Sequence, residues 1–209
     1  VTAGTTTVTY DIGTGCIMSR IQTINPLPVA ITGASTVCTG ATTTLSNATG
    51  GGTWSTSNAT VATIDNTSGL LTGVTTGTAN IFYTVTGTGC SIGTTITVHP
   101  TPAAIAGQLT ICNGATVSYT NATPAGVWSS SNSTIATTDA TGNITGNTPG
   151  TATISYTIPA TGCYRAVNAT VTATPPGIAG SMQMCPGYNA AFSNPVPGGT
   201  WSSSNAAVG

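Results

Sequence analysis

The chain has 209 residues, 48 of them Thr, and almost no charge: no Lys, no Glu, two Arg, three Asp and one His leave a net charge of −1. That balance excludes the basic footprint of a nucleic-acid binder. It also removes the charge repulsion that keeps soluble monomers apart, so a neutral, Thr-coated surface suits a protein that packs side by side or carries glycans.

The strongest signal is a repeat. Trp54, Trp128 and Trp201 lie in the strings GGTWSTSN, AGVWSSSN and GGTWSSSN, 74 and then 73 residues apart. Cys38, Cys112 and Cys185 keep the same step, and so do Cys16, Cys90 and Cys163. A fixed period of this size means an array of small domains, a device for building length. Boundaries follow at 1–25, the C-terminal part of one repeat; 26–99 and 100–174, two whole repeats; and 175–209, the N-terminal part of another.

Taken in chain order, residues 1–25 read as the last two strands of a unit. In 26–99, PVAITG reads as a first strand, and TVCTG turns at a Gly into ATTTLSN. GGTWSTSN, VATID, GLLTGV, GTANIFYTV and TTITVHP follow. In 100–174 the same order appears as AAIAG, LTICNG, ATVSYTN, GVWSSSN, IATTD, GNITGN, GTATISYTI and ATVTAT, and 175–209 reads as the first three strands of a further unit. Short β-branched runs broken by Gly, Asn and Pro are strands and turns, and no helical periodicity appears. The apolar set Val61, Ile64, Leu71, Val74, Ile81, Tyr83 and Val85 gives the unit a core and argues against disorder. Pro-rich junctions at 24–28, 98–102 and 172–176 are stiff, extended links, and an extended rod is the expected arrangement. Seven short strands with a Trp on the third match an immunoglobulin-like sandwich. Trp54, Trp128 and Trp201 are therefore expected in cores.

The pattern W-S-S-S-N, V-A-T-I-D, G-L-L-T-G-V and G-T-A-x-I-x-Y resembles bacterial Ig-like domains of the group 2 type. With VCTGATTTLSNATGGGTW and NPLPVAITG, it is similar to tandem arrays in secreted surface and adhesin proteins of Bacteroidota. The resemblance implies spacer domains in cell-surface fibres, exported by type IX secretion, rather than an activity.

Six Cys with no CxxC pair and no Cys/His cluster point to disulfides and an oxidising, extracellular setting. In the sandwich topology, Cys38 sits at the C-terminal pole of its domain and Cys90 at the other, about 25 Å away. A disulfide needs Cα atoms within about 7 Å. The favoured pairing therefore joins successive domains, Cys38 with Cys163. By the same rule Cys112 and Cys185 reach forward, and Cys16 and Cys90 reach back. The alternative, with the strand order misjudged, is Cys38–Cys90 and Cys112–Cys163 within domains.

Little else carries chemistry. Asp65 and Asp139 occupy equivalent turns, one carboxylate per repeat, too few for paired acid–base work or a strong calcium site. His99 sits in a junction, and the Gly-rich strings lack the context of a phosphate loop. No catalytic residue, metal site or cofactor is expected. Seven N-x-S/T sequons, at Asn47, Asn58, Asn66, Asn121, Asn132, Asn143 and Asn168, arise readily in so Thr-rich a chain. No run reaches the roughly 18–20 apolar residues of a membrane span. Val1 falls inside a repeat, so any export signal is expected outside this sequence, and the partial repeats are either cut from a longer chain or completed by strand exchange.

The expected function is a structural segment of an extracellular filament or adhesin stalk, with copies of itself or neighbouring repeats as partners. The rival is a carbohydrate-binding module taking surface glycans on Tyr164, Tyr188 and Tyr119.

Overall fold

The structure, a computed structural model, describes residues 2–205. Val1 and residues 206–209 of the two partial repeats lie outside the described residues. Among the described residues every regular element is a β-strand. The chain divides into two compact units. The first holds Val1–Ala104 together with Asn121–Val127 and Tyr156–Arg165; the second holds Ile105–Thr120, Trp128–Ser155 and Ala166–Gly209.

The first unit opens with a hairpin, β1 (Gly4–Asp11) and β2 (Ile17–Ile24), paired antiparallel from Gly4↔Ile24 to Asp11↔Ile17. A seven-stranded sandwich follows: β3 (Thr36–Cys38), β4 (Thr42–Thr44), β5 (Gly52–Thr56), β6 (Ala62–Ile64), β7 (Leu70–Gly73), β8 (Gly77–Val85) and β9 (Ser91–His99). One sheet has the order β3-β9-β8-β5 and the other β4-β7-β6. β3 runs parallel to β9, with Cys38 opposite His99. On β8 the two-residue alternation puts Ala79, Ile81 and Tyr83 inside and Asn80 outside. They meet Val37, Leu45, Trp54, Leu71, Ile96 and Val98 in one core.

The second sandwich repeats the plan with β10 (Thr110–Cys112), β11 (Thr116–Ser118), β12 (Val127–Ser130), β13 (Ala136–Thr138), β14 (Asn143–Gly146), β15 (Gly150–Thr157) and β16 (Tyr164–Thr172). Its sheets are β10-β16-β15-β12 and β11-β14-β13. Ile111, Tyr119, Ile144, Ile154 and Val171 form the centre of its core.

Three expectations change. PVAITG is not a strand: Pro28 has no amide hydrogen to give a ladder, and the segment makes one bridge, Thr32↔Ser46. The first true strand is the Cys-bearing β3. Among the tryptophans, Trp54 is 6% exposed, Trp128 is half-buried against the second core, and Trp201 is 58% exposed. Residues 175–205 around Trp201, expected as the first three strands of a unit, form no strand and make one bridge, Ala179↔Ser193, so the Trp stands in no sheet.

Tyr119 lies fully inside the second core, where the first repeat has Leu45 74 residues earlier. Its hydroxyl has no hydrogen-bond partner, and burial pushes its pKa up. A buried unpaired hydroxyl costs about 1–3 kcal/mol. Tyr119→Phe is therefore expected to stabilise the second repeat by about 1 kcal/mol, read as a rise in its thermal unfolding midpoint.

Candidate functional site

The candidate site is the junction around Cys38 and Cys163. Cys38 is the last residue of β3, held there by the parallel ladder to β9. Thr39, the next residue, donates to the His99 carbonyl from both its amide, at 2.8 Å, and its hydroxyl, at 3.0 Å. The Thr101 hydroxyl donates to the Thr39 carbonyl at 2.6 Å. The strand end and the linker that follows β9 are thereby fastened together just where the cysteine projects.

Cys163 ends the turn between β15 and β16. Its carbonyl accepts from the Ile158 amide at 2.8 Å, and Gly162 takes the positive φ of 73° that the tight turn requires. The side chain is fully buried. The two sulfurs are bonded, with Cα atoms 5.7 Å apart and a sequence separation of 125. Both cysteines lie in the first compact unit. Cys90 and Cys112 are free thiols, so the within-domain pairs are not formed; Cys16 and Cys185 are free and exposed.

Two polar devices hold the same pole of each repeat. The first is a tyrosine. The Tyr83 hydroxyl donates to the Thr49 carbonyl and accepts from the Gly52 amide at 3.0 Å. The Tyr156 hydroxyl donates to the Thr123 carbonyl at 2.6 Å and accepts from the Gly126 amide at 2.9 Å. A Cβ at Gly52 or Gly126 would collide with the respective ring, so glycine is required there.

The second device is an asparagine that sequence reasoning missed. Asn47 donates from its side chain to the Val29 carbonyl, Asn121 to Ala103 at 2.6 Å, and Asn194 to Pro176 at 2.6 Å. Each ties the linker entering a repeat to the loop before its Trp strand. In the sequence Asn47 and Asn121 stand out only as glycosylation sequons. The signal that would have found them is the step from Asn47 to Asn121 to Asn194, the same 74 and 73 as the tryptophans.

The remaining candidates do not assemble into a reactive centre. His99 ends β9 and serves through its backbone carbonyl. Tyr164 and Tyr188 are exposed, but Tyr119 is buried and offers no face to a sugar, which removes one third of the proposed aromatic platform. Among the described residues no group of three or more His, Cys, Asp or Glu stands close enough to hold a metal ion. No helix among them is long and apolar enough to cross a membrane.

Asp65 and Asp139 each close a turn. Asp65 accepts from the backbone and hydroxyl of Ser68 and from the Thr67 amide, which lower its pKa from 3.8. Asp139 accepts from the Thr141 hydroxyl and from the Asn143 backbone and side chain, which lower its pKa to about 2.

Two packed sheets with the Trp strand paired to the tyrosine strand, repeated along one chain, define the class as tandem Ig-like domains. The bacterial Ig-like domain (group 2) family matches residues 22–89 and 92–162, and the chain belongs to that family. No curated protein matches it. Among solved structures, it is similar to invasin, a bacterial integrin-binding protein, at 15% identity and TM-score 0.43, over 86% of this chain and 47% of that one. It is similar to a C-terminal fragment of intimin, solved with the intimin-binding domain of the translocated intimin receptor, at 18% identity and TM-score 0.41, over 75% and 67%. A third is surface layer protein SbsC, domains 1–6, at 16% identity and TM-score 0.33, over 82% and 32%. The chain thus spans about a third of the SbsC fragment and about half of the invasin chain.

The turn carboxylates give a pH prediction. A carboxylate whose folded pKa is depressed contributes stability above its unfolded pKa, and that contribution is lost as pH falls through the folded value. The melting temperature is expected to stay level from pH 7 to about 5 and to fall between about pH 4 and pH 2. With three Asp and no Glu in the chain, Asp139→Asn should visibly flatten that fall, as thermal melts across the acid range would show.

Proposed function

We propose that this chain is a structural segment of an extracellular bacterial filament or adhesin stalk, in which disulfides staple each Ig-like repeat to the next. The bond between Cys38 and Cys163 is the observation that carries the reading, because it joins positions in two successive repeats. An enzyme or ligand-binding domain has no need to shackle one repeat to its neighbour; a load-bearing array has.

The mechanism is mechanical. Tension entering along β3 passes through Cys38 to Cys163 and leaves by β16, so the residues enclosed by the bond stay outside the line of force. Ig-like cores as small as these resist force weakly alone, and the closed loop of 125 residues adds the constraint they lack. A disulfide of this kind persists in an oxidising compartment, which supports an extracellular or cell-surface location. Repeats at 26–99 and 100–174, flanked by partial repeats at 1–25 and 175–209, fit this role. So do partners that are copies of the chain or neighbouring repeats, and a Bacteroidota host. No cofactor enters the account, and the segment is not an enzyme.

Electron microscopy of the native material carrying this chain tests the proposal. Uniform filaments or stalks with an axial repeat of one or a few domain lengths are expected. Isolated compact particles without elongated extensions would overturn it.

A further inference from the structure

The corner that holds Cys38 also holds the one histidine of the chain. β3 and β9 run parallel there, with Val37 opposite Val98 and Cys38 opposite His99. Val37 and Val98 are buried in the core, so strand alternation turns Cys38 and His99 together to the other face, on strands about 4.8 Å apart. The imidazole thus stands within reach of the Cys38 sulfur. Two hydrogen bonds keep the strand ends from parting: the Thr39 hydroxyl donates to the His99 carbonyl, and the Thr101 hydroxyl to the Thr39 carbonyl.

The second repeat supplies the comparison. β10 and β16 keep the same parallel ladder, but Cys112 stands opposite Thr172. Histidine changes charge between pH 5 and 8, and a threonine hydroxyl does not. The two sulfurs of the bond also differ. Cys163 is fully buried and Cys38 only half-buried, so a reagent from solvent meets Cys38 first.

We propose that His99 is the proton acceptor that activates Cys38, which makes Cys38 the entry thiol and Cys163 the resolving thiol when the bond between the repeats forms. The inference deepens the staple reading above, since it assigns how that bond is made.

The neutral imidazole takes the Cys38 proton, and the thiolate is held beside the imidazolium. The thiolate attacks one sulfur of a low-molecular-weight disulfide such as glutathione disulfide. A mixed disulfide forms at Cys38, and the first small thiol leaves with the proton that His99 returns. The Cys163 sulfur then attacks the Cys38 sulfur, and the second small thiol leaves with the Cys163 proton. Two cysteine thiols and one small disulfide become one protein disulfide and two small thiols.

The elements that meet at this corner are β3, β9 and the β15–β16 turn. No carboxylate lies on them. Besides the two cysteines and His99, their titratable or charged groups are Tyr164 and Arg165, both exposed and both left in place in every variant below.

The test reads alkylation by iodoacetamide, cysteine by cysteine, by peptide mass spectrometry on the full chain reduced under native conditions, with circular dichroism to check that the strands persist. Between pH 8 and pH 6 the Cys38 rate is expected to fall less than the Cys112 rate. Each tenfold gain in thiolate costs about threefold in nucleophilicity, so at pH 6 His99→Thr should slow Cys38 by about threefold or more and leave Cys112 unchanged. The reverse change, Thr172→His at an exposed position, should speed Cys112 at pH 6 by a similar factor. Cys112 is already a free thiol, so this arm needs no reduction. A brief pulse of glutathione disulfide, stopped with acid, should leave glutathione on Cys38 and none on Cys163. Overlapping Cys38 curves with and without His99→Thr, an unaltered Cys112 in Thr172→His, or glutathione first on Cys163 would overturn the proposal. A map of the unreduced chain reports the Cys38–Cys163 peptide independently of the alkylation curves, so a failure of the staple reading is seen separately.

Discussion

The covalent bond between Cys38 and Cys163 constrains more of this chain than any other contact, because it closes 125 residues into a loop across two repeats. Its placement depends on ordinary backbone chemistry. The parallel pairing of β3 with β9 sets Cys38 at a strand end, and the double acceptance by the His99 carbonyl fixes the residue after it. A tight glycine turn presents the buried Cys163. Small sandwiches with almost no charge gain little from ion pairs, so a cross-link is the strongest constraint open to them.

Around that bond, each of the two complete repeats is organised by a tyrosine that lies over a bare glycine and an asparagine that grips the incoming linker. These devices put the stiff parts of the repeat at the pole where the cysteine turn also lies. Hydrogen bonds to backbone carbonyls, rather than charged pairs, do the fastening. This suits a protein whose outer surface is mostly threonine hydroxyl, since nothing in the junction depends on ionic strength.

Much of the fold was legible in the sequence because the repeat exposes it three times over. The strands around Trp54, the hairpin ahead of Cys90 and the all-β class follow from β-branched alternation and Gly turns. PVAITG misled because its apolar content resembles a strand while Pro28 withholds a ladder donor. Trp201 misled because its string repeats that of Trp54 while residues 175–205 form no strand, and a Trp outside a sheet has no core to enter. Tyr119 looked like a surface aromatic, yet it stands at the core position of Leu45. The asparagine clamps were hidden in plain view, since their partners are backbone carbonyls that carry no sequence signal.

The central claim is that the bond takes two repeats out of the line of force, and single-molecule stretching of the chain from its two ends measures this directly. Oxidised chain is expected to release about 400 Å less contour length than reduced chain, the extended length of the enclosed residues at about 3.3–3.6 Å each. Equal contour lengths before and after reduction would contradict the account.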